Sequence, residues 1–320
     1  MTSSPRAVVA RPATAAPTAT AGPASAYVRC AVAMALVGAS FTASAALADY
    51  PVFGGQAVRY AVAALCLLAV MRWRRVAFVP PTPRQAARLT ALAATGLTGF
   101  SAFVVLATRH AEPSLAGAVV GATPVVLAAT QAVRERRLAF RTLAAAVVVT
   151  AGVALVEGVG SADPLGLALA VGALACEAAF TLLAVPLLPT LGALRVSAYA
   201  CVAAVPQLLL LGLLAPGPLL AVPDGGELAA LAYLSVVVTA VAFLLWYTGV
   251  ARVGAARAGL FAGLMPVAAL VAALALGVEV PTAHGVAGAL VVASGLALGL
   301  SSRRRPGDAD DRHRRTRVTV

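Results

Sequence analysis

The chain contains no lysine: all 24 of its basic residues are arginine. That absence excludes a phosphate-binding loop ending in Gly-Lys, and with it a nucleotide site of that kind. Charge of either sign is scarce, at 11% of residues, where a soluble domain has roughly 25%. Cysteine is limited to Cys30, Cys66, Cys176 and Cys201. Each stands alone in an apolar run without a Cys-x-x-Cys pair, which argues against a disulfide framework or a thiolate zinc site and for small buried hydrophobes. His110, His284 and His313 have no metal-ligand spacing and read as solvated. There is no His-Glu-x-x-His, no nucleophile elbow and no carboxylate dyad. The sequence therefore predicts no metal, no cofactor and no enzyme.

What is present is hydrocarbon. Of 320 residues, 61% are hydrophobic and mean hydropathy is +0.93, which defines an integral membrane protein. Apolar runs of about 20 residues recur, each long enough to cross ~30 Å at ~1.5 Å per residue. They predict ten helices, at 28–48, 52–71, 86–107, 113–133, 139–157, 164–185, 194–214, 228–248, 255–277 and 281–301. Residues 1–27, rich in Ala, Pro, Thr and Ser, form a disordered tail, and 302–320 a basic one. Ala46-Leu47-Ala48 before Asp49 resembles a signal cleavage site, but the run from Val28 to Ala48 exceeds the usual signal core, so a retained first helix is preferred.

The net charge of +12 does not indicate nucleic acid, because the arginines sit in short clusters between apolar runs. With the N-terminus in the cytoplasm, 22 of 24 arginines fall on cytoplasmic segments. The opposite loops hold Arg109 and seven acids: Asp49, Glu112, Glu157, Asp163, Asp224, Glu227 and Glu279. This is the positive-inside pattern, with both termini cytoplasmic in a multi-pass protein of a bacterial inner membrane.

A repeat is visible. AGAVVGATPVV at 116–126 matches AGLFAGLMPVA at 258–268 in Ala, Gly, Gly, Pro and Val, offset by 142. TAGVAL at 150–155 answers ASGLAL at 293–298, offset by 143. The fourth and fifth helices thus resemble the ninth and tenth. A unit of five helices re-enters from the opposite face, so the halves are inverted, as in secondary transporters with a midplane site.

The stretch GASFTASAALADYPVFGGQAVRYAVAALCLL at 38–68 resembles the opening of an EamA domain. The two Gly-Pro helices, followed by Glu135 or Glu279 and a Gly-rich last helix, resemble its ending. Over 28–301 the chain is therefore similar to the EamA type of the drug/metabolite transporter superfamily. The resemblance implies an all-α bundle of two five-helix domains, 28–157 and 164–301, that exports small metabolites or drugs without ATP. Two departures stand out. Glu135 lies two residues closer to its Pro than Glu279 does. Glu177 occupies a position where family members more often carry an uncharged or aromatic residue, and so marks a subgroup.

Glu177 is the residue that asks for an explanation. It interrupts GALACEAAFTLLAV at 172–185, about 20 Å along its helix from the Asp163 end. A charge at that depth costs roughly 3 kcal/mol. Either it faces a water-accessible cavity, where it titrates or binds a cationic substrate group, or it is paired with Arg59 or Thr181 for structure. Arg59, about 10 Å into the second helix from the same face, matches the Arg of the family's second helix. It is a cation for a substrate carboxylate, or an anchor. Gly117, Gly121 and Pro124, with Gly259, Gly263 and Pro266, are small-residue pairs and kinks that pack helices or flex around a cavity. Pro206 predicts a kink in the seventh helix, with Gln207 a cavity candidate. Trp73, Trp246, Tyr247, Tyr50 and Phe53 lie near helix ends and fit interfacial belts, with Trp246 and Tyr247 alternatively touching substrate.

Together these features predict a secondary transporter moving amino-acid-like metabolites or drugs outward by alternating access, proton-coupled or downhill. A non-transporting scaffold or an intramembrane enzyme is the alternative. The partners are a small-molecule substrate and the lipid bilayer, with a homodimer left open and no nucleic acid.

Overall fold

The computed structural model describes residues 23–107, 109–158, 160–277 and 282–301. The tails up to residue 22 and from 302, with Glu279 and His313, lie outside them. Ten helices are long and apolar enough to cross a membrane: α1 (Pro23–Ala45), α2 (Val52–Trp73), α3 (Pro83–Ala107), α4 (Pro113–Glu135), α5 (Phe140–Glu157), α6 (Pro164–Ala184), α7 (Leu188–Leu214), α8 (Gly225–Val253), α9 (Ala255–Ala275) and α10 (Ala283–Leu300). No strand occurs among the described residues, apart from one isolated bridge between Ala111 and Ala162. The protein is an all-helical, multi-pass membrane protein.

Several ends differ from those expected, and capping explains the clearest cases. Helix α3 starts three residues earlier because Thr82 and Gln85 form a reciprocal cap, and α8 starts at Gly225 because Asp224 and Glu227 do the same. Hydropathy does not register such polar ends, whereas a cap satisfies the free N–H groups of a first turn. Asp163 caps α6 through Gly166 N, and Thr282 caps α10 through Gly285 N.

Among the described residues, bonds between connections fall into two sets. At one end Tyr50 donates to the Ala221 carbonyl, Asp163 N–H to the His110 carbonyl, and His284 lies against the Leu155 carbonyl. At the other, Arg195 bonds the Ala77 carbonyl, Gln85 bonds Thr190, and Arg141 bonds the Leu298 carbonyl. We call these the acidic and arginine ends. His110 stays partly exposed and pairs with Asp163 at 2.8 Å.

Helix α5 packs along α10, α2 along α7, α1 against α8 and α9, and α3 against α6. The α5–α10 crossing is built on glycine. A Cβ on Gly152 would stand 2.7 Å from the Val292 amide, one on Gly288 2.7 Å from the Gly152 carbonyl, and one on Gly295 2.9 Å from the Val149 amide. Without Cβ atoms the two backbones touch, and dispersion replaces the hydrophobic drive that lipid cannot supply. The contacts are reciprocal: Gly152 meets Val292, and Gly295 meets Val149, at positions 143 apart in both cases. Large apolar side chains such as Phe41, Leu65, Leu210, Leu213 and Leu290 point outward, as a lipid-facing surface requires.

Two pairs of helices are irregular at matching places. Helix α3 widens to a π segment over Ala93–Gly99 and α8 over Leu234–Val241. Helix α4 breaks at Gly121-Ala122 before Pro124, and α9 tightens to 3₁₀ over Leu260–Gly263 before Pro266. In α7 the non-helical residue is Gly192, with φ 75° and ψ 161°, rather than the expected Pro206. Only glycine takes that φ cheaply.

Three outcomes are expected. Gly152→Val forces backbone apart at the α5–α10 crossing and should cost about 2 kcal/mol or more, read as a lower thermal midpoint in detergent. Gly225→Ala, with open space around its Cβ position, should leave the midpoint unchanged. The Gly166 amide, and then His110, hold the Asp163 carboxyl below its ordinary value of 3.8. A depressed folded value stabilises above the ordinary one and is lost as pH falls through it. The midpoint difference between wild type and Asp163→Asn should therefore shrink on acidification through that region.

Candidate functional site

Three helices converge on one layer of rings. Tyr60 on α2 lies 6.4 Å from Phe243 on α8; Phe243 lies 4.9 Å from Phe180 on α6, which in turn lies 5.0 Å from Tyr247 on α8. Tyr247 is fully buried and donates to the Phe180 carbonyl at 3.2 Å, and Trp246 donates to Thr181 at 3.2 Å. These two residues are thus core residues clamping α8 to α6, not members of an interfacial belt. Tyr50 is likewise buried, with its hydroxyl bonded to the Ala221 carbonyl, while Trp73, 79% exposed, keeps the position of a belt residue. The correction has a simple cause. Proximity to a helix end says nothing about which face a ring occupies.

Glu177 precedes Phe180 by three residues on α6, which places both on one face. It is half-buried, and it has no hydrogen bond or ion pair among the described residues. Both suggested structural partners are engaged elsewhere. Arg59 donates from Nε to Thr239 at 2.7 Å and reaches Gln56 at 3.5 Å, with its guanidinium 5.5 Å from the Tyr60 ring centre. Thr181 accepts from Trp246. Arg59 lies at the Tyr60 ring and Glu177 one turn from Phe180, and among the described residues the two do not pair.

The π segments position the polar arms. In α8, Thr239 turns its hydroxyl hydrogen to the Leu234 carbonyl five residues back, which leaves its oxygen facing Arg59 of α2. In α3, Thr98 donates to Gln207 of α7 at 3.1 Å, and Gln207 donates to the Thr90 carbonyl. Thr239 of the α8 π segment thus reaches α2, and Thr98 of the α3 π segment reaches α7. π insertions of this kind are frequent where side chains are aimed for function.

A cavity of about 180 Å³ leads inward from the acidic end, lined by Ser44, Tyr50, Gln56, Arg59, Leu231 and Leu234. The small-residue pairs face neighbouring helices. Gly117 lies under the Glu157 carboxylate, Gly121 against Val153, Gly259 against Leu127, and Gly263 against Val149. Cys176 points at Gly99, 3.3 Å from where its Cβ would stand, so it packs on α3 rather than facing the cavity. The four thiols are free, and the described residues contain no cluster fit to hold a metal.

Tyr60, Thr98, Phe180, Thr239 and Phe243 were not distinguishable as site residues by sequence, since a ring or threonine in an apolar run has no periodicity of its own. The one available signal is the juxtaposition of Tyr60 with Arg59.

Residues 164–301 match the model of the EamA-like transporter family. Over 257 residues, 77% of this chain and 78% of the relative, the sequence is 28% identical to an uncharacterized transporter, YetK, of Bacillus subtilis (strain 168). A solved protein crystal structure shares the fold with a TM-score of 0.75, at 20% identity, over 86% of this chain and 97% of that one.

With Gln56→Cys, a water-soluble thiol reagent added from the acidic end should modify the cavity position at least an order of magnitude faster than Cys176. Equal rates would remove the cavity as a water path.

Proposed function

We propose that this chain, whose residues 164–301 match the EamA-like transporter family and which is similar to a Bacillus subtilis transporter, is a membrane transporter of the EamA type that exports small amino-acid-like metabolites or drugs by alternating access. Residues 28–157 and 164–301 act as two inverted halves, with both termini in the cytoplasm of an inner-membrane protein. The acidic end then faces outward. The distribution of arginine supports that orientation. The matched π segments, the matched breaks in α4 and α9, and the reciprocal glycine contacts of α5 and α10 support the repeat.

The observation that carries the proposal is Glu177: a carboxylate deep in a membrane helix, beside a ring layer, without a protein counter-charge. Such a group is expensive unless it meets water, a proton or a cationic ligand. Arg59, held by the neutral Thr239 and Gln56, offers the complementary charge to a cargo carboxylate. In a proton-coupled cycle, cargo and proton compete for Glu177. A proton arriving from the acidic end displaces the cargo there. Its release at the arginine end restores the carboxylate for the next load.

The test compares metabolites in the medium of cells overproducing wild type or Glu177→Gln at matched membrane levels, against cells with neither. One compound should accumulate outside with wild type, and its export should fall about tenfold or more in the variant, a barrier change of ~1.4 kcal/mol. Equal export by both would remove Glu177 from the cycle. No difference from control cells would remove export itself.

A further inference from the structure

We propose that Gln131 is the latch that holds the arginine end of the bundle shut, so that the unloaded protein rests open toward the acidic end. This rests on the alternating-access reading above. Gln131 sits near the end of α4, and its Oε1 accepts from the Ala256 amide in the first turn of α9 at 3.1 Å. Its Nε2 donates to Glu135 at 2.7 Å. The carboxylate thereby fixes the amide's orientation, oxygen toward α9. One turn inward, Leu127 fills the space over Gly259, where a Cβ would come 2.6 Å from its Cδ1. The latch therefore has a polar clasp and an apolar plug, both between α4 and α9.

Burial along the two helices follows the same polarity. At the arginine end, Thr123, Pro124, Leu127 and Ala128 of α4 are buried, as are Ala255, Ala256 and most of the following turns of α9. Toward the acidic end, no residue of α4 between Pro113 and Val120 is buried, and in α9 beyond Gly263 only Ala273 is. The buried residues of these two helices thus cluster toward one end.

The repeat makes the asymmetry a property of the sequence. At an offset of 142, Gln131 corresponds to Ala273, Ala256 to Ser114, and Leu127 to Ala269. An alanine methyl cannot accept from an amide, and Ala269 is too short to plug Gly117, which instead lies under Glu157. If the acidic end closes in the other half of the cycle, it does so without the clasp. The resting equilibrium is thereby biased toward closure at the arginine end.

Spin labels at Val133→Cys on α4 and Arg257→Cys on α9, on a Cys66→Ala background, report this closure as a distance. Purified protein should give one short distance. Gln131→Leu, which keeps the bulk and removes the acceptor, should shift a substantial fraction of molecules to longer separations. Gln85→Leu, which removes a different bond at the same end, should not. An unchanged distribution in Gln131→Leu overturns the latch. Should that variant misfold, Glu135→Ala removes the brace alone and should give the same shift at smaller amplitude; no shift there overturns the proposal equally. The readout does not depend on transport. A shift without any exported compound upholds the latch and removes the transport reading, whereas export with no shift does the reverse.

Discussion

Hydrocarbon offers no partner to a free amide or carbonyl, and each one left unpaired there costs several kcal/mol. The structure can be followed by asking where such groups go. Helix starts lie in the connections, where Thr82, Asp163, Asp224 and Thr282 take up first-turn amides. Inside the spans, the hydroxyls of Ser44, Thr95, Ser101, Thr130 and Thr248 turn back onto carbonyls four residues earlier. Ten nearly continuous helices are the consequence. Irregular backbone is tolerated only where protein or a water-filled cavity covers it. The π turn of α3 lies on α6, where Gly96 meets Phe180, and that of α8 lies on α2.

This constraint explains why irregularity and chemistry coincide. A widened turn shifts the register of a helix and releases a threonine from purely local bonding. Thr239 and Thr98 are such residues, and they hold Arg59 and Gln207. The breaks in α4 and α9 fall between a glycine and a proline, where the missing proline N–H lies near the start of a new segment and leaves no unmet donor. Each departure from regular helix is thus compensated locally, and the compensating side chains aim polar groups between helices.

The same reasoning separates what is legible in the sequence from what is not. Span number and the division of loops into acidic and arginine sets depend on one-dimensional quantities, hydropathy and charge, and these survive folding intact. Span ends depend on caps, which hydropathy averages away, as at Thr82 and Asp224. Faces are harder still. Glu177 is visible as an anomaly because one carboxylate in a long apolar run needs no context. Trp246 and Tyr247 are not, since a ring near a helix end reads as an interfacial anchor until the neighbouring helix is known. The ring layer joins residues of α2, α6 and α8, and nothing local to any of the three announces the other two. Gly192 takes the backbone break that Pro206 invites, because a proline within a helix can be accommodated by the packing around it, whereas φ 75° requires glycine.

The absence of an Arg59–Glu177 bond is the feature that gives the site its meaning. Had the two paired, the charge problem would have been solved once, and breaking a buried pair costs about 3–5 kcal/mol. A site closed in that way is a poor place for a ligand that must arrive and leave. Instead Arg59 is held by neutral partners and a ring face, which orient it without cancelling its charge. Among the described residues Glu177 has no hydrogen bond or ion pair that cancels its own. By helix rise the two residues differ in depth by about 10 Å, and the proposed cycle treats them as two separate charges for a ligand to complete. In the proposed cycle a proton answers Glu177 alone and a bipolar cargo answers both residues, so the two exclude one another at a shared site.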